Sequence, residues 1–230
     1  MPAPPEGELP PLSEREEALV RATYEVIARV GSQQLSLRPL AKELGVSPTL
    51  FLYHFGSKDN LLLATMRWAV LELVERIGAR LEHVDDPERA LGALVDAIFT
   101  DDAKATRDFY LVYLDLVQYC VRNPSFSGLA DLLWKYVNGA YAVVIQHGIA
   151  SGTFDIEDIE LTARRARATV EGYVLQWLQE ERWERRHAAL RSECYTALVS
   201  LLNTTSVAPT HQRQLGKGLR GVAAGRARAG

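Results

Sequence analysis

Between residues 36 and 55 the chain writes two short helices back to back, each with its own start and stop signals. Ser36 heads the first, which turns Leu37, Leu40, Ala41 and Leu44 inward and tolerates Pro39 because proline fits the first turn. Gly45 ends it. A turn of about three residues follows, and Ser47 and Pro48 supply an N-cap and an N1 proline for the second helix, which Gly56-Ser57 breaks. On that second helix Phe51 and Phe55 lie one turn apart on one face, and Thr49 and Tyr53 lie one turn apart on roughly the opposite face. The phenylalanines can pack on Leu40, Ala41 and the first helix, which leaves Thr49 and Tyr53 pointing outward. The layout is a helix-turn-helix. The outward side of such a second helix is where a DNA groove would be met, and its free N–H groups face phosphate. Layout alone does not fix function, because a helical hairpin in an ordinary α-bundle shares it.

The rest of the chain also reads as helices, with no convincing strand. Ser13 and Glu16 form a capping box that opens a helix with Leu19, Val20, Thr23, Val26, Ile27 and Val30 on one face. Ser57 caps a long helix with the stripe Leu62, Met66, Ala69, Val70, Leu73, Ile77 and Leu81. Asp86-Pro87 starts the next, and another holds Phe109 to Cys120 and stops before Pro124. A helix through Leu129, Leu132, Leu133, Tyr136, Tyr141 and Val144 runs to Gly148, and helices over 156–180 and 184–203 follow. The expected fold is all-α: an N-terminal three-helix DNA-binding domain, then an antiparallel helical domain for ligand binding and dimerisation. The expected divisions are a disordered arm at 1–12, the helix-turn-helix domain at 13–58, the helical domain at 59–204 and a basic disordered tail at 205–230.

The 230-residue chain is long enough to bury a sizeable core. It has no apolar run of membrane-spanning length, and its Pro-rich start lacks the basic and apolar regions of a secretory signal, so it reads as cytoplasmic. Cys120 and Cys194 fit a reducing compartment as small buried hydrophobes, with a disulfide as the alternative. The net charge of −3 is unlike that of a nucleic-acid binder until its distribution is read. Residues 206–230 carry +5, so the body carries −8; yet between residues 29 and 58 Arg29, Arg38, Lys42 and Lys58 face only Glu43. A locally basic surface still attracts phosphate at close range.

The stretch LSLRPLAKELGVSPTLFLYHFGSKDNLL resembles the DNA-binding signature of the TetR family of transcriptional regulators. The matching pieces are the L-A-x-x-L-G-V-S core, Phe51 followed by His54-Phe55, and S-K-D-N-L-L at 57–62, in order and without gaps. The resemblance implies that Arg38 contacts a base edge and Ser36 a phosphate. It implies that Pro48, Thr49 and Leu50 form the groove-facing start of the recognition helix, with Ser47 at its cap. Tyr53 and His54 would contact backbone or bases, and Lys58 a phosphate. One position departs: the family usually has a phosphate-touching Tyr where this chain has Leu52, which donates no hydrogen bond.

Aromatic residues concentrate in the later helices. They are core, or else the wall of an apolar effector pocket between helices. The candidates are Phe99, Phe109, Tyr113, Val117, Trp134, Tyr141, Tyr173 and Trp177, with Glu171 as polar anchor and Asp115, Gln118 and His147 as further possibilities. The last two helices suit a four-helix dimer interface, with Ala168, Gly172, Leu175, Leu190, Leu198 and Leu201 as contacts. The resemblance implies a homodimeric repressor on double-stranded, pseudo-palindromic operator DNA, released by a small apolar or aromatic effector. No cofactor or metal is implied. An enzyme is the rival from another class, but no metal spacing, nucleophile elbow or phosphate loop is present, and the acid pairs Glu16-Glu17, Asp85-Asp86 and Asp101-Asp102 are adjacent rather than facing. The second rival, supported by Leu52, is a helical ligand-binding or scaffold dimer that has lost operator binding.

Overall fold

In a computed structural model of the chain, the described residues are 11–123, 128 and 134–203. All regular structure among them is helical: α1 (Glu14–Val30), α2 (Leu37–Glu43), α3 (Pro48–Phe55), α4 (Lys58–Leu81), α5 (Pro87–Ile98), α6 (Ala103–Arg122), α7 (Gly139–Ala150), α8 (Ile159–Trp177) and α9 (Trp183–Asn203). A π-helical turn at Trp134–Asn138 leads into α7. Residues 1–10 of the arm, the tail from 204 and the helix start at Leu129–Leu133 lie outside the described residues.

Side-chain caps fix most helix starts. The Ser13–Glu16 capping box forms in full, and Ser47, Ser57, Asp86, Asp102 and Asp158 each accept from a backbone N–H of the helix they precede. Ser36 stands at the N-cap of α2 but makes no capping bond through its side chain. α4 is the spine. It packs against α1 and α3 near its start, against α6, and against α5, and it begins at Lys58, at the expected division. α7 lies on α5 and α8, and α8 and α9 pair along their lengths. One continuous apolar core runs from Leu19 to Leu202. Gly148 of α7 is there because the Phe154 ring lies where a Cβ would project.

The end of this core contains a titratable group. His187 of α9 is buried against Phe99 and Trp177, with Nε2 3.2 Å from Thr106 Oγ1 of α6. Burial first, and the Arg191 charge second, push its pKa below the ordinary 6.5. Above that pH both folded and unfolded states hold it neutral. Below it the unfolded chain takes up a proton that the fold resists, so stability falls as pH falls. The melting temperature is expected to drop between pH 7 and pH ~5.5, and His187→Gln is expected to flatten that slope. Parallel slopes in the two chains would count against this source.

Candidate nucleic-acid interface and effector cage

The turn between α2 and α3 is a Schellman motif. Gly45 adopts φ +65°, its N–H donates to Lys42, and the Val46 N–H donates to Ala41. That left-handed step turns the chain so that α3 lies across α2 and α4. Phe51 and Phe55 are buried as their spacing requires, and Phe51 is only 1% exposed. Arg38, Ser36, Ser47 and Thr49 are exposed, Tyr53 is 83% exposed and Leu52 48%. Thr49 and Ser47 share a hydroxyl contact at 2.6 Å at the tip of α3. Pro48, Leu50 and Lys58 are half-buried, and Leu50 leans on the core.

One expected DNA-contact residue and one residue of the expected basic face are turned to other work. His54 lies half-buried with Nδ1 3.6 Å from Glu16 of α1, so it ties α3 to the capping box instead of projecting beside Tyr53. The Ser13 backbone and hydroxyl, ahead of His54, hold the Glu16 carboxyl below its usual range. Arg29 is paired with Glu43 at 2.9 Å, which leaves Arg38, Lys42 and Lys58 as the cations around the exposed surface of α2 and α3.

α6 binds this unit to the rest. Asp115 accepts from the Ser32 N–H and, at 3.0 Å, from the Ser32 hydroxyl in the turn after α1. Tyr119 donates to Asp59 at 2.7 Å at the start of α4, and that hydrogen bond, with burial, pushes the phenol up to about 12. Asp115 is therefore a clamp on the α1–α2 turn and not an effector anchor. Gln118 is exposed and His147 half-buried, and neither lines the cage.

The same helix supplies the cage on its other side. Phe109, Tyr110 and Tyr113 of α6 meet Tyr141 of α7 and Arg167 and Glu171 of α8, with Leu73, Ile77, Ile98 and Val137 around them. Phe109 and Tyr113 stack 5.8 Å apart. Tyr113 donates to Glu171 at 2.7 Å, Arg167 Nε donates to the same carboxylate oxygen at 2.7 Å, and Arg167 Nη2 donates to the Tyr113 oxygen. Burial raises the phenols of Tyr113 and Tyr141 well above the usual range, so both stay neutral donors. Burial works against the Arg167 charge, but Tyr113 and Glu171 outweigh it and raise its pKa. The free space is only about 20 Å³, room for one water.

The structure thus brings together Phe109, Tyr113, Tyr141 and Glu171 of the expected ligand residues and leaves out others. Phe99 is fully buried core against Tyr110 and His187. Trp177 is core too, donating to the Trp183 carbonyl. Val117 and Tyr173 are half-buried and line no part of the cage. The Trp134 side chain lies outside the described residues. Arg167 was missed because an Arg four residues before a Glu on a helix looks like a surface pair. A larger open depression of about 510 Å³ crosses α1, α4 and α6 and shares Phe109 with the cage.

The dimer residues also divide. Ala168 and Leu175 are exposed on one side of α8 with Leu161, and Gly172 lies half-buried between them. Leu201 is half-buried. Leu190 and Leu198 are 3% and 0% exposed within a single chain, so the expectation that they touch a partner is corrected: they are the inner face of α9.

Among the described residues no helix is long and apolar enough to cross a membrane. The model for bacterial regulatory proteins of the tetR family matches residues 19–65, and the model for the C-terminal region of BetI-type transcriptional repressors matches residues 87–202. The HTH-type transcriptional regulator BetI of Stenotrophomonas maltophilia is 34% identical over 116 residues, which are 50% of this chain and 59% of that one. The BetI of Brucella canis is 35% identical over 96 residues, 42% of this chain and 48% of its own. The chain thus matches about half the length of these curated relatives. A transcriptional regulator from Saccharomonospora viridis, solved in complex with choline, superposes with a TM-score of 0.67 at 27% identity over 79% of this chain and 95% of that one. A TetR regulator from Haloarcula marismortui shares the fold at a TM-score of 0.69 and 22% identity, over 83% of this chain and 97% of its own. With its N-terminal and C-terminal regions each matched in place, this chain belongs to the TetR family of transcriptional regulators.

Proposed function

We propose that the chain is a cytoplasmic, homodimeric repressor that binds a pseudo-palindromic operator and is released by a small organic cation. The observation that supports operator binding most is the division of α3: Phe51 and Phe55 are spent on the core, and Thr49 and Tyr53 are exposed, as is Arg38 of α2. In this reading Arg38 reads a base edge, Thr49 and Tyr53 enter the groove, and Ser36, Ser47 and Lys58 hold phosphates. The open side of α8, with Leu161, Ala168, Gly172 and Leu175, meets its symmetry mate.

The effector class follows from the cage. An aromatic wall around one carboxylate is the chemistry that recognises quaternary ammonium groups. The Saccharomonospora viridis regulator holds choline, which is such a cation. The small apolar or aromatic effector expected from the sequence would meet the aromatic wall but make no use of the Glu171 carboxylate, which pairs with Arg167. Because α6 carries both the cage aromatics and the Asp115 and Tyr119 clamps, a ligand that moves α6 also moves its hold on the DNA-binding unit. Selection of random duplex DNA by the full chain tests the first half of this reading. An enriched inverted repeat is the expected result; no enrichment would favour the scaffold reading, in which Leu52 marks lost DNA binding.

A further inference from the structure

We infer that Arg167 is a tethered competitor for the effector, a cation of the chain's own that fills the cage until a ligand cation displaces it. The inference rests on the cationic-effector reading above and deepens it.

The cage has the parts of an organic-cation site, and a cation already occupies them. The Arg167 guanidinium donates to Glu171 Oε1 at 2.7 Å and to the Tyr113 oxygen, and its centre lies 6.0 Å from the Tyr113 ring. Its side chain is 18% exposed, less than the carboxylate it serves. Phe109, Tyr110, Tyr113 and Tyr141 close around this network and leave room for one water. Among the described residues Glu171 is the one carboxylate lining that space, and with Arg167 it makes a neutral pair. A second cation gains nothing by entering while Arg167 stays, because the carboxylate and the phenol already answer a positive charge.

Exchange resolves this. An incoming ammonium takes the carboxylate and the aromatic faces, so Glu171 is never left buried and unpaired. Arg167 reaches the cage from one helical turn away, on a long stem, and a side chain of that kind can carry its charged head back to water. The apparent affinity is then the intrinsic affinity reduced by the fraction of molecules whose cage is free of the guanidinium. Removing the tether should strengthen binding, the opposite of what removing a ligand contact does.

The test is a calorimetric titration of the full chain with tetramethylammonium chloride and with choline chloride, at fixed ionic strength. Arg167→Ala is expected to bind both at least about tenfold tighter than the unaltered chain, which is the population-shift expectation for a tether that occupies the cage most of the time. Arg167→Gln, which keeps a hydrogen-bond donor without the charge, should also bind tighter and guards against a folding defect in the alanine variant. Arg167→Lys restores a tethered cation and should return the affinity close to that of the unaltered chain. Equal or weaker binding by folded Arg167→Ala and Arg167→Gln would overturn the inference while leaving the cationic effector standing. If no chain, altered or not, binds either cation, the cationic-effector reading falls and the inference with it.

Discussion

A chain carrying Leu198→Asp is expected to lose its fold rather than come apart into folded monomers. Leu198 is 0% exposed on the inner face of α9, in the row with Leu190, Cys194 and Leu202. An Asp there would sit among these buried side chains, and an unpaired buried charge costs on the order of 3–5 kcal/mol or more. That is comparable with the whole stability of a domain, about 5–15 kcal/mol. Leu175→Asp should behave differently. Leu175 is 47% exposed on the open side of α8, so its replacement leaves the core intact and places a charge where a partner would sit. Circular dichroism should show Leu198→Asp unfolded, and sedimentation should show Leu175→Asp folded and shifted toward monomer. A folded, dimeric Leu175→Asp would move the interface elsewhere.

The second large effect is on operator affinity. Arg38→Ala should cost about 1–3 kcal/mol in each half-site and relax preference at one base pair, because a guanidinium can give a base edge two donors. Lys58→Ala should weaken all sequences alike and reduce the salt slope by about one unit in each half-site. Arg38 is exposed and Lys58 half-buried, and among the described residues neither makes an ion pair, so their loss should leave the fold unchanged. If both substitutions weakened every operator variant equally, Arg38 would be a phosphate contact and not a reader of sequence.

The helix-turn-helix was legible because its information is local. Caps, Gly45 and the Phe51–Phe55 spacing all act within one or two turns, and the structure follows them closely. The cage was half legible. Aromatic residues on α6 announced a wall, but which of them converge depends on how α6, α7 and α8 cross, and no local pattern encodes that. Phe99 and Trp177 carry the same hydrophobic signal as Tyr113 and were spent on the core instead. Asp115 was one possible polar anchor in the sequence, and the turn at Ser32, 83 residues earlier, is what engages it. His54 matched a contact position, yet Glu16 of α1 drew it aside, which only the packing of α3 on α1 decides. On α9 both faces hold apolar or small residues, so the sequence could not say which face turns inward.

Operator binding by this chain should be relieved by an organic cation. The most direct measurement is the fluorescence anisotropy of the selected operator, bound by the full chain, as choline chloride is added against sodium chloride at constant ionic strength. Release must come from tighter binding of the cation to the DNA-free form, since equal affinity for both forms shifts nothing. The predicted result is a saturable fall in anisotropy with choline and none with sodium chloride. A complex that stays bound while calorimetry shows choline occupying the protein, or one that responds equally to both salts, would contradict it.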